Sequence, residues 1–478
     1  MSVNVNSYLF YDIETTGINK CFDQVVQFAA IRTDLNLNEI SRYEYVVKLR
    51  PDVIPAPKAA ITHLISLDRL VQAESEYTVI KKIHELLNEP DTISLGYNTL
   101  GFDDEFLRFS FYRNLLDPYS HQYANGCSRM DLYPMVALYY LYCPTVLQWP
   151  QVNGQPSLRL ENLSALNQLA EGQAHDAMVD VEATVALAKR LMHEKATWDY
   201  LCNYFIKRED QNRLLKLPRL FDDDSQSFLA MMIAGEMGTK VNYQAPALLL
   251  GEHYHYKNQT VWLRLDQEYL KQITISDFSE KIWVKNKKYG EPPFVLPLTE
   301  KRLAKMSKEQ LELYQENKNW ILNNKALLQE IREYYLDYKY PEHENVDAMA
   351  LLYQSGFYNY REKNWIECFH DYLLGQQLYD HAVPSERLGV LSDRLAGYEN
   401  KILANDPRQQ LFDRYVDECW QVEEQNARRD YKGECALTVG TALAEITQLE
   451  ADNGLSSIQQ TRLAELKAYI LGKIEVRL

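Results

Sequence analysis

The sequence has no paired cysteines. Its seven cysteines, an odd number scattered from Cys21 to Cys435, never form a Cys-x-x-Cys pair. That argues against a disulfide framework or a zinc knuckle and leaves most of them as small buried hydrophobes. The first ten residues, MSVNVNSYLF, lack a basic n-region and a long apolar h-region, so no secretory signal is expected. No apolar run approaches the roughly 18 to 20 residues that span a bilayer. The expectation is a cytoplasmic protein with no membrane contact. No Ser/Gly-rich or acidic low-complexity tract stands out, which excludes long disorder. Net positive charge is missing too: the formal charge is −16, whereas a generic nucleic-acid coat wants a basic face.

What is present is an ordinary globular composition, 46% apolar and 25% charged, over 478 residues. That length implies roughly two to four domains. The charge is uneven. Residues 1–190 carry a net of −8, and residues 271–340 a net of +3. Bound divalent cations would offset part of the first figure.

The first ~190 residues alternate strands and helices, the signature of a layered α/β sheet. Strands are expected at Ser7–Ile13, Val25–Asp34, Arg42–Lys48 and Thr92–Tyr97. Helices are expected at Thr78–Leu87, Phe102–Tyr112, Leu158–Gly172 and His175–Leu191. From ~196 to 340 the runs shorten to Ala247–Gly251 and Thr260–Leu265, with turn signals at Lys257-Asn258, Tyr289-Gly290 and Pro292, Pro293 and Pro297. This reads as a mainly β module with a helical tail, Leu303–Tyr338. From ~345 the pattern is helical: Asp347–Gln354, Trp365–Leu378, Ser385–Leu403, Pro407–Gln425, Gly433–Asn453 and Ser457–Val476. No internal repeat of 20–50 residues is visible. The expected division is 1–195, 196–344 and 345–478.

Five polar residues form one chemical set: Asp12, Glu14, Asp103, His175 and Asp180. Four carboxylates for metal ions and one imidazole for a proton are what two-cation cleavage of a phosphodiester needs. Each pattern alone is weak. Asp-x-Glu also occurs at Asp103, Asp180 and Asp266, and His-x-x-x-x-Asp also at His63. Taken singly, each is more often a solvated surface pair. Setting separates them. Asp12 and Glu14 end the apolar strand Tyr8-Leu9-Phe10, and residues i and i+2 of a strand share a face. Two like charges there are costly unless a cation neutralises them. Phe10, Ile13 and Ile18 argue against a solvent-facing strand end, and Thr15-Thr16-Gly17 permits a tight turn. Asp103 opens a helix beyond a strand end, where ligands of open α/β sheets gather. Its rival Asp104 suits helix capping. Five helical residues turn about 500°, so His175 and Asp180 cannot share a direction inside one helix. His175 is therefore expected on the loop leading in, with Asp180 on the helix and Asp176 as dipole partner.

These patterns, in this order over residues ~7–191, resemble the three motifs of DEDD-superfamily exonucleases of the histidine subtype. A narrower similarity to bacterial exonuclease I runs through Gln27-Phe28-Ala29-Ala30-Ile31-Arg32-Thr33-Asp34, Gly96-Tyr97-Asn98, Phe102-Asp103-Asp104-Glu105, Phe111-Tyr112-Arg113-Asn114, Asp117-Pro118-Tyr119, Pro156-Ser157-x-Arg159-Leu160-Glu161, Ala174-His175-Asp176-Ala177-Met178 and Asn345-Val346-Asp347-Ala348. Ile61-Thr62-His63-Leu64-Ile65-Ser66 departs from it, with Leu64 where a glycine is common. Residues ~215–330 match loosely.

The resemblance implies an α/β RNase H-like exonuclease domain, then an SH3-like mainly β domain and an all-α C-terminal domain. It implies processive 3′→5′ digestion of single-stranded DNA to 5′-mononucleotides in DNA repair and recombination. Two Mg2+ ions, replaceable by Mn2+, would be held by Asp12, Glu14, Asp103 and Asp180, with His175 as general base. In that scheme Asp12 and Asp180 hold the ion that activates water, and Asp12 the second ion at the leaving 3′ oxygen. Glu14 also meets the 3′-hydroxyl. It further implies a partner, single-stranded-DNA-binding protein with its acidic C-terminal tail. A monomer is expected, since no coiled-coil heptads are visible.

Strand binding needs stacking platforms and a cationic track. Arg159 is expected at a phosphate. Arg108, Arg113, Tyr119 and Tyr123 follow Asp103 and alternate charge with aromatics. With 34 tyrosines in the chain, ordinary packing competes with that reading for the last two. The lysines from Lys281 to Lys308 rim a groove, bind an acidic tail or form a solvated face. Two other functions stay open: a 3′→5′ exonuclease on RNA ends, and a non-enzymatic single-strand-binding adaptor. The ~290 residues beyond the first region count against the RNA reading, because RNA-acting relatives are mostly short.

Overall fold

The computed structural model describes residues 6–172, 175–221, 227–273, 282–375, 382–403, 406–422, 427–452 and 454–476. The chain opens with β1 (Ser7–Thr15), β2 (Val25–Thr33) and β3 (Glu39–Val46), then α1 (Pro57–His63), α2 (Leu67–Val71) and α3 (Glu76–Leu87). β4 (Thr92–Leu95), α4 (Asp103–Arg113), β5 (Ser128–Arg129) and α5 (Leu132–Tyr142) follow. After a two-strand hairpin, β6 (Gln151–Val152) and β7 (Gln155–Pro156), come α6 (Leu160–Asn167) and α7 (Ala177–Met192).

The five-stranded sheet has the order β3-β2-β1-β4-β5, with β1 antiparallel to β2 and parallel to β4. Both its faces are covered. Tyr8, Phe10, Ala29 and Ile31 join one core with Val181, Leu187 and Leu191 of α7. Leu9, Tyr11, Ile13, Phe28 and Ala30 join another with Val79, Ile80 and Ile83 of α3 and Phe106 of α4. A central strand buried on both faces reads as the continuous apolar run seen in the sequence. Asp12 and Glu14 continue the Tyr8–Phe10 face, the one that α7 covers.

Register fixes the site. Phe10 pairs with Leu95, the last residue of β4. Asp12 and Glu14 therefore extend beyond the end of β4, where the chain leaves towards Asp103. Gly96 makes that departure possible: a Cβ there would lie 2.4 Å from the carbonyl oxygen of Tyr11.

The middle of the chain holds a second, antiparallel five-stranded sheet, β11-β10-β9-β8-β12. Its strands are β8 (Leu229–Ile233), β9 (Gln244–Glu252), β10 (Gln259–Arg264), β11 (Val284–Lys288) and β12 (Phe294–Pro297). Helices Lys308–Asn323 and Lys325–Leu336 pack on it. The C-terminal part carries helices Tyr360–Leu373, Glu386–Tyr398, Pro407–Cys419, Val439–Glu450 and Ser457–Glu475. This is the expected order: an α/β sheet, a small β module, then helices.

The differences have physical reasons. α5, absent from the sequence reading, is apolar on all sides and carries no 3.6-residue period to detect; most of it is buried. The expected tail Leu303–Tyr338 is broken at Asn324, whose φ of −127° is not helical. Asp347–Gln354 is a 3-10 helix, Ala348–Tyr353, capped by the Asp347 side chain. That carboxylate also takes two bonds from Arg394, at 2.6 and 2.9 Å. The ends expected at Leu378, Gln425 and Asn453 lie outside the described residues.

The helical part is fastened to the first sheet through a buried charge network. Arg50 meets Asp52 at 3.0 Å and Glu76 at 2.8 Å, and Arg113 meets Glu76 at 3.0 Å. From the C-terminal side, Tyr415 donates to Asp52 at 2.9 Å and Arg428 at 3.2 Å.

Candidate active site

The carboxylates come together at the crevice beyond β4. Burial raises Asp12 well above the usual carboxylate range, and the charges of Asp103, Glu14 and Asp180 push the same way. Glu14 is lifted to about 9 by burial and then by Asp180 and Asp103. Asp103 is lifted to about 8 by burial, although its Oδ1 accepts the Ile13 N–H at 3.2 Å. Asp180 rises to about 6, mainly through burial.

Asp103 and Asp104 are neighbours with opposite fates. Asp104 is fully buried against Arg108 at 2.7 Å, Arg129 at 2.5 Å and His121 at 2.9 Å. The two guanidiniums, helped by the His121 hydrogen bond, overcome its burial and hold it far below the usual range. Asp104 is thus an ionic hub, not the helix cap its position suggested. Asp12, Glu14, Asp103 and Asp180 form no ion pair with lysine or arginine among the described residues. Four crowded carboxylates without a protein cation form an oxygen donor set suited to hard divalent ions.

α7 starts at Ala177 with Asp176 as its N-cap, accepting from the Met178 N–H at 3.0 Å. His175 therefore precedes the helix, with φ of 65° in the left-handed region. Its N–H donates to Asp180 Oδ2 at 3.2 Å. Ligand atoms of Glu14, His175 and Asp180 lie within 4.8 Å of one another. Glu161, at the start of α6, faces His175 Nε2 at 3.7 Å and Arg159 at 3.5 Å. Arg159 is otherwise open, its side chain 78% exposed.

The remaining expected contacts lie elsewhere. Arg113 is 4% exposed and bound to Glu76; Arg108 is 6% exposed and bound to Asp104. Guanidiniums buried against carboxylates are structural and leave no open charge for a strand. Tyr119 is covered by Arg108 at 5.7 Å and by the edge of Phe357. Tyr123 is 68% exposed, but its segment joins the entering end of β4, where Asn125 accepts the Asp91 N–H. That is the end of the strand away from the carboxylates. Ile18, taken as part of the apolar surround, is 84% exposed.

The lysine stretch largely answers the protein's own acids. Lys285 pairs with Glu236, Lys287 is buried on Asp210, Lys288 meets Glu291 and Lys308 meets Glu312. Lys281 lies outside the described residues. The decoys are structural too. Buried His63 accepts the Ile65 N–H at 3.0 Å, and Asp266 is held by Arg264 and Gln310.

Sequence reasoning missed Asp131. Its carboxylate accepts the N–H groups of Asn98 at 2.9 Å and Leu100 at 3.1 Å, and so shapes the loop that carries Asp103. Its position before the apolar α5 was the available signal. A cleft of about 630 Å³ runs from Glu14 and Ile18 past Lys58 to Cys435, Leu437 and Glu445 of the helical part. Strand-like access to Glu14 is therefore bordered by both regions.

The RNase_T exonuclease family model matches residues 9–188, the stretch that carries all five residues. Exodeoxyribonuclease I of Buchnera aphidicola subsp. Schizaphis graminum is 30% identical over 382 residues, 76% of this chain and 77% of that protein. The chain belongs to the exodeoxyribonuclease I family. It is thus a nuclease, of a family that works with divalent metal. Exodeoxyribonuclease I of Escherichia coli K12 is 38% identical over 215 residues, 44% of this chain and 45% of that protein, so this match spans under half of either. Exonuclease I of E. coli in complex with a dA16 oligonucleotide superposes with a TM-score of 0.81, covering 98% of this chain and all of that one at 22% identity. An ExoI/SSB-Ct complex gives 0.80 over the same shares, also at 22% identity. No helix among the described residues is long and apolar enough to cross a membrane.

Proposed function

We propose that this exodeoxyribonuclease I family member removes nucleotides from the 3′ end of single-stranded DNA by Mg2+-dependent hydrolysis, releasing 5′-mononucleotides. The observation that carries the reading is the contrast between Asp103 and Asp104. One carboxylate is satisfied by two arginines and a buried histidine; its neighbour is left with Asp12, Glu14 and Asp180 and no such partner. These four carboxylates would hold divalent cations, Mg2+ with Mn2+ as substitute, which would supply Lewis acidity for the attacking water and the leaving 3′ oxygen.

The chain's own groups do the rest. His175 takes the water's proton, a role that suits an imidazole. Glu14 also accepts a hydrogen bond from the terminal 3′-hydroxyl, fixing the end that is cut. Arg159, open beside the site, pairs with a phosphate oxygen. The strand enters along the cleft between the turn after β1 and residues 435–445. Of three units, 1–195, 196–344 and 345–478, the first and third border that path, an arrangement that supports processive digestion by a monomer.

The place of action is cytoplasmic DNA repair and recombination, with recruitment by the acidic tail of single-stranded-DNA-binding protein. The relative solved with dA16 and the ExoI/SSB-Ct complex support substrate and partner. Digestion of 3′- and 5′-labelled single- and double-stranded DNA and of RNA, with Mg2+, tests the reading. Shortening of single-stranded DNA from its 3′ end is expected. Cutting from the 5′ end overturns it, faster RNA digestion favours RNA ends, and tight binding without turnover favours an adaptor.

A further inference from the structure

Glu161 belongs to the Pro156–Glu161 motif, yet the reading above gives it no task. It opens α6 with its carboxylate between two partners: Oε1 lies 3.5 Å from Arg159 and Oε2 3.7 Å from His175 Nε2. Glu161 does not join the Glu14–His175–Asp180 cluster. Helix capping does not explain it. The N-cap of α6 is Arg159, which makes no side-chain cap bond. Stability does not explain it either, because the Glu161 side chain is 36% exposed and Arg159 far more so. Exposed pairs of this kind contribute about 0–1 kcal/mol.

His175 needs a partner. It sits outside the helix in the left-handed region, tied by its backbone N–H to Asp180 rather than by its ring. A neutral imidazole carries one N–H and one lone pair, and a nearby carboxylate selects which nitrogen keeps the proton.

We propose that Glu161 is a positioning residue for His175. It holds the imidazole with Nε2–H towards its carboxylate, so that Nδ1 presents the lone pair. The inference rests on His175 being the base. In the step, a water O–H bond breaks and its proton goes to Nδ1. The oxygen's electron pair forms the new bond to phosphorus, and the P–O3′ bond breaks with its electron pair leaving on O3′ of the shortened strand.

The test is a double-mutant cycle on single-stranded DNA with Mg2+. It compares wild type, Glu161→Ala, Glu161→Gln, Glu161→Asp, His175→Ala and the Glu161→Ala/His175→Ala pair. Glu161→Ala and Glu161→Gln are expected to lower kcat at least about tenfold, part of the ~10²–10⁴ a general base contributes. KM and the melting temperature should stay near wild type, and Glu161→Asp should recover part of kcat. In the His175→Ala background, Glu161→Ala should cost nothing further. Unchanged kcat in Glu161→Ala, or a full additional loss in the double variant, overturns the positioning role and leaves the base standing. A His175→Ala variant with wild-type kcat overturns the base and the inference together.

Discussion

Adjacent carboxylates with opposite surroundings should respond oppositely to the same change. Asp103→Asn removes one of four crowded acids that no protein cation balances. Its pKa is lifted from 3.8 to about 8 in the metal-free fold, so the folded state binds the proton more tightly than the unfolded one. Stability is therefore lost as pH rises from about 4 to about 8. At ~1.36 kcal/mol per unit, the wild type at pH 7 carries a cost of roughly 4 kcal/mol that asparagine removes. Asp104→Asn strips a fully buried anion from Arg108, Arg129 and His121. Breaking such a buried pair costs roughly 3–5 kcal/mol. For a unit of this size, 1 kcal/mol moves the midpoint by about 2–4 °C. Thermal melts in EDTA at pH 7 should show Asp103→Asn several degrees above wild type and Asp104→Asn about 10 °C below it. Adding Mg2+ should raise the wild-type midpoint and leave that of Asp103→Asn nearly still. A destabilised Asp103→Asn, or an Asp104→Asn as stable as wild type, refutes the assignment of the two roles.

Other perturbations probe the same physics. Burial lowers His63 to about 4, so its contribution is present above pH 6.5 and is lost as pH falls towards 4. The loss, about 3 kcal/mol at most, should shrink in His63→Gln when urea midpoints are compared across pH. Leu64 caps α1 with φ of 59°, a conformation costing a non-glycine residue roughly 1–2 kcal/mol. Leu64→Gly should therefore change stability by under about 1 kcal/mol, and a loss of 2 or more would show that its side-chain packing dominates. Arg113→Ala should cost about 3–5 kcal/mol by unpairing Glu76 yet leave kcat of the folded enzyme unchanged. Arg159→Ala should do the reverse, holding the melting point while raising KM or lowering kcat.

Much of the catalytic set was legible because local rules place it. Period-two alternation sets Asp12 and Glu14 on one face of β1, and helix geometry alone excluded His175 from α7. The positions of β1 to β4 followed from apolar runs and turn residues. What escaped was decided by partners distant in sequence. Arg113 looked like part of a cationic track until Glu76, 37 residues away, claimed it. Lys287 met Asp210 across 77 residues. α5 escaped for another reason: a helix buried on all sides shows no period. Leu64 marks the opposite case, a departure from pattern whose meaning, a left-handed cap, only the backbone reveals.

The central claim is that the four crowded carboxylates, loaded with divalent cations, cut the terminal phosphodiester. Single-turnover release of 5′-mononucleotides from 3′-labelled single-stranded DNA tests it most directly, comparing wild type with Asp180→Ala in Mg2+ and in EDTA. The account predicts release by wild type only with Mg2+, and a loss on the order of 10³-fold or more in Asp180→Ala with strand binding intact. An Asp180→Ala variant that keeps full activity, or a wild type that cuts equally well in EDTA, would contradict it.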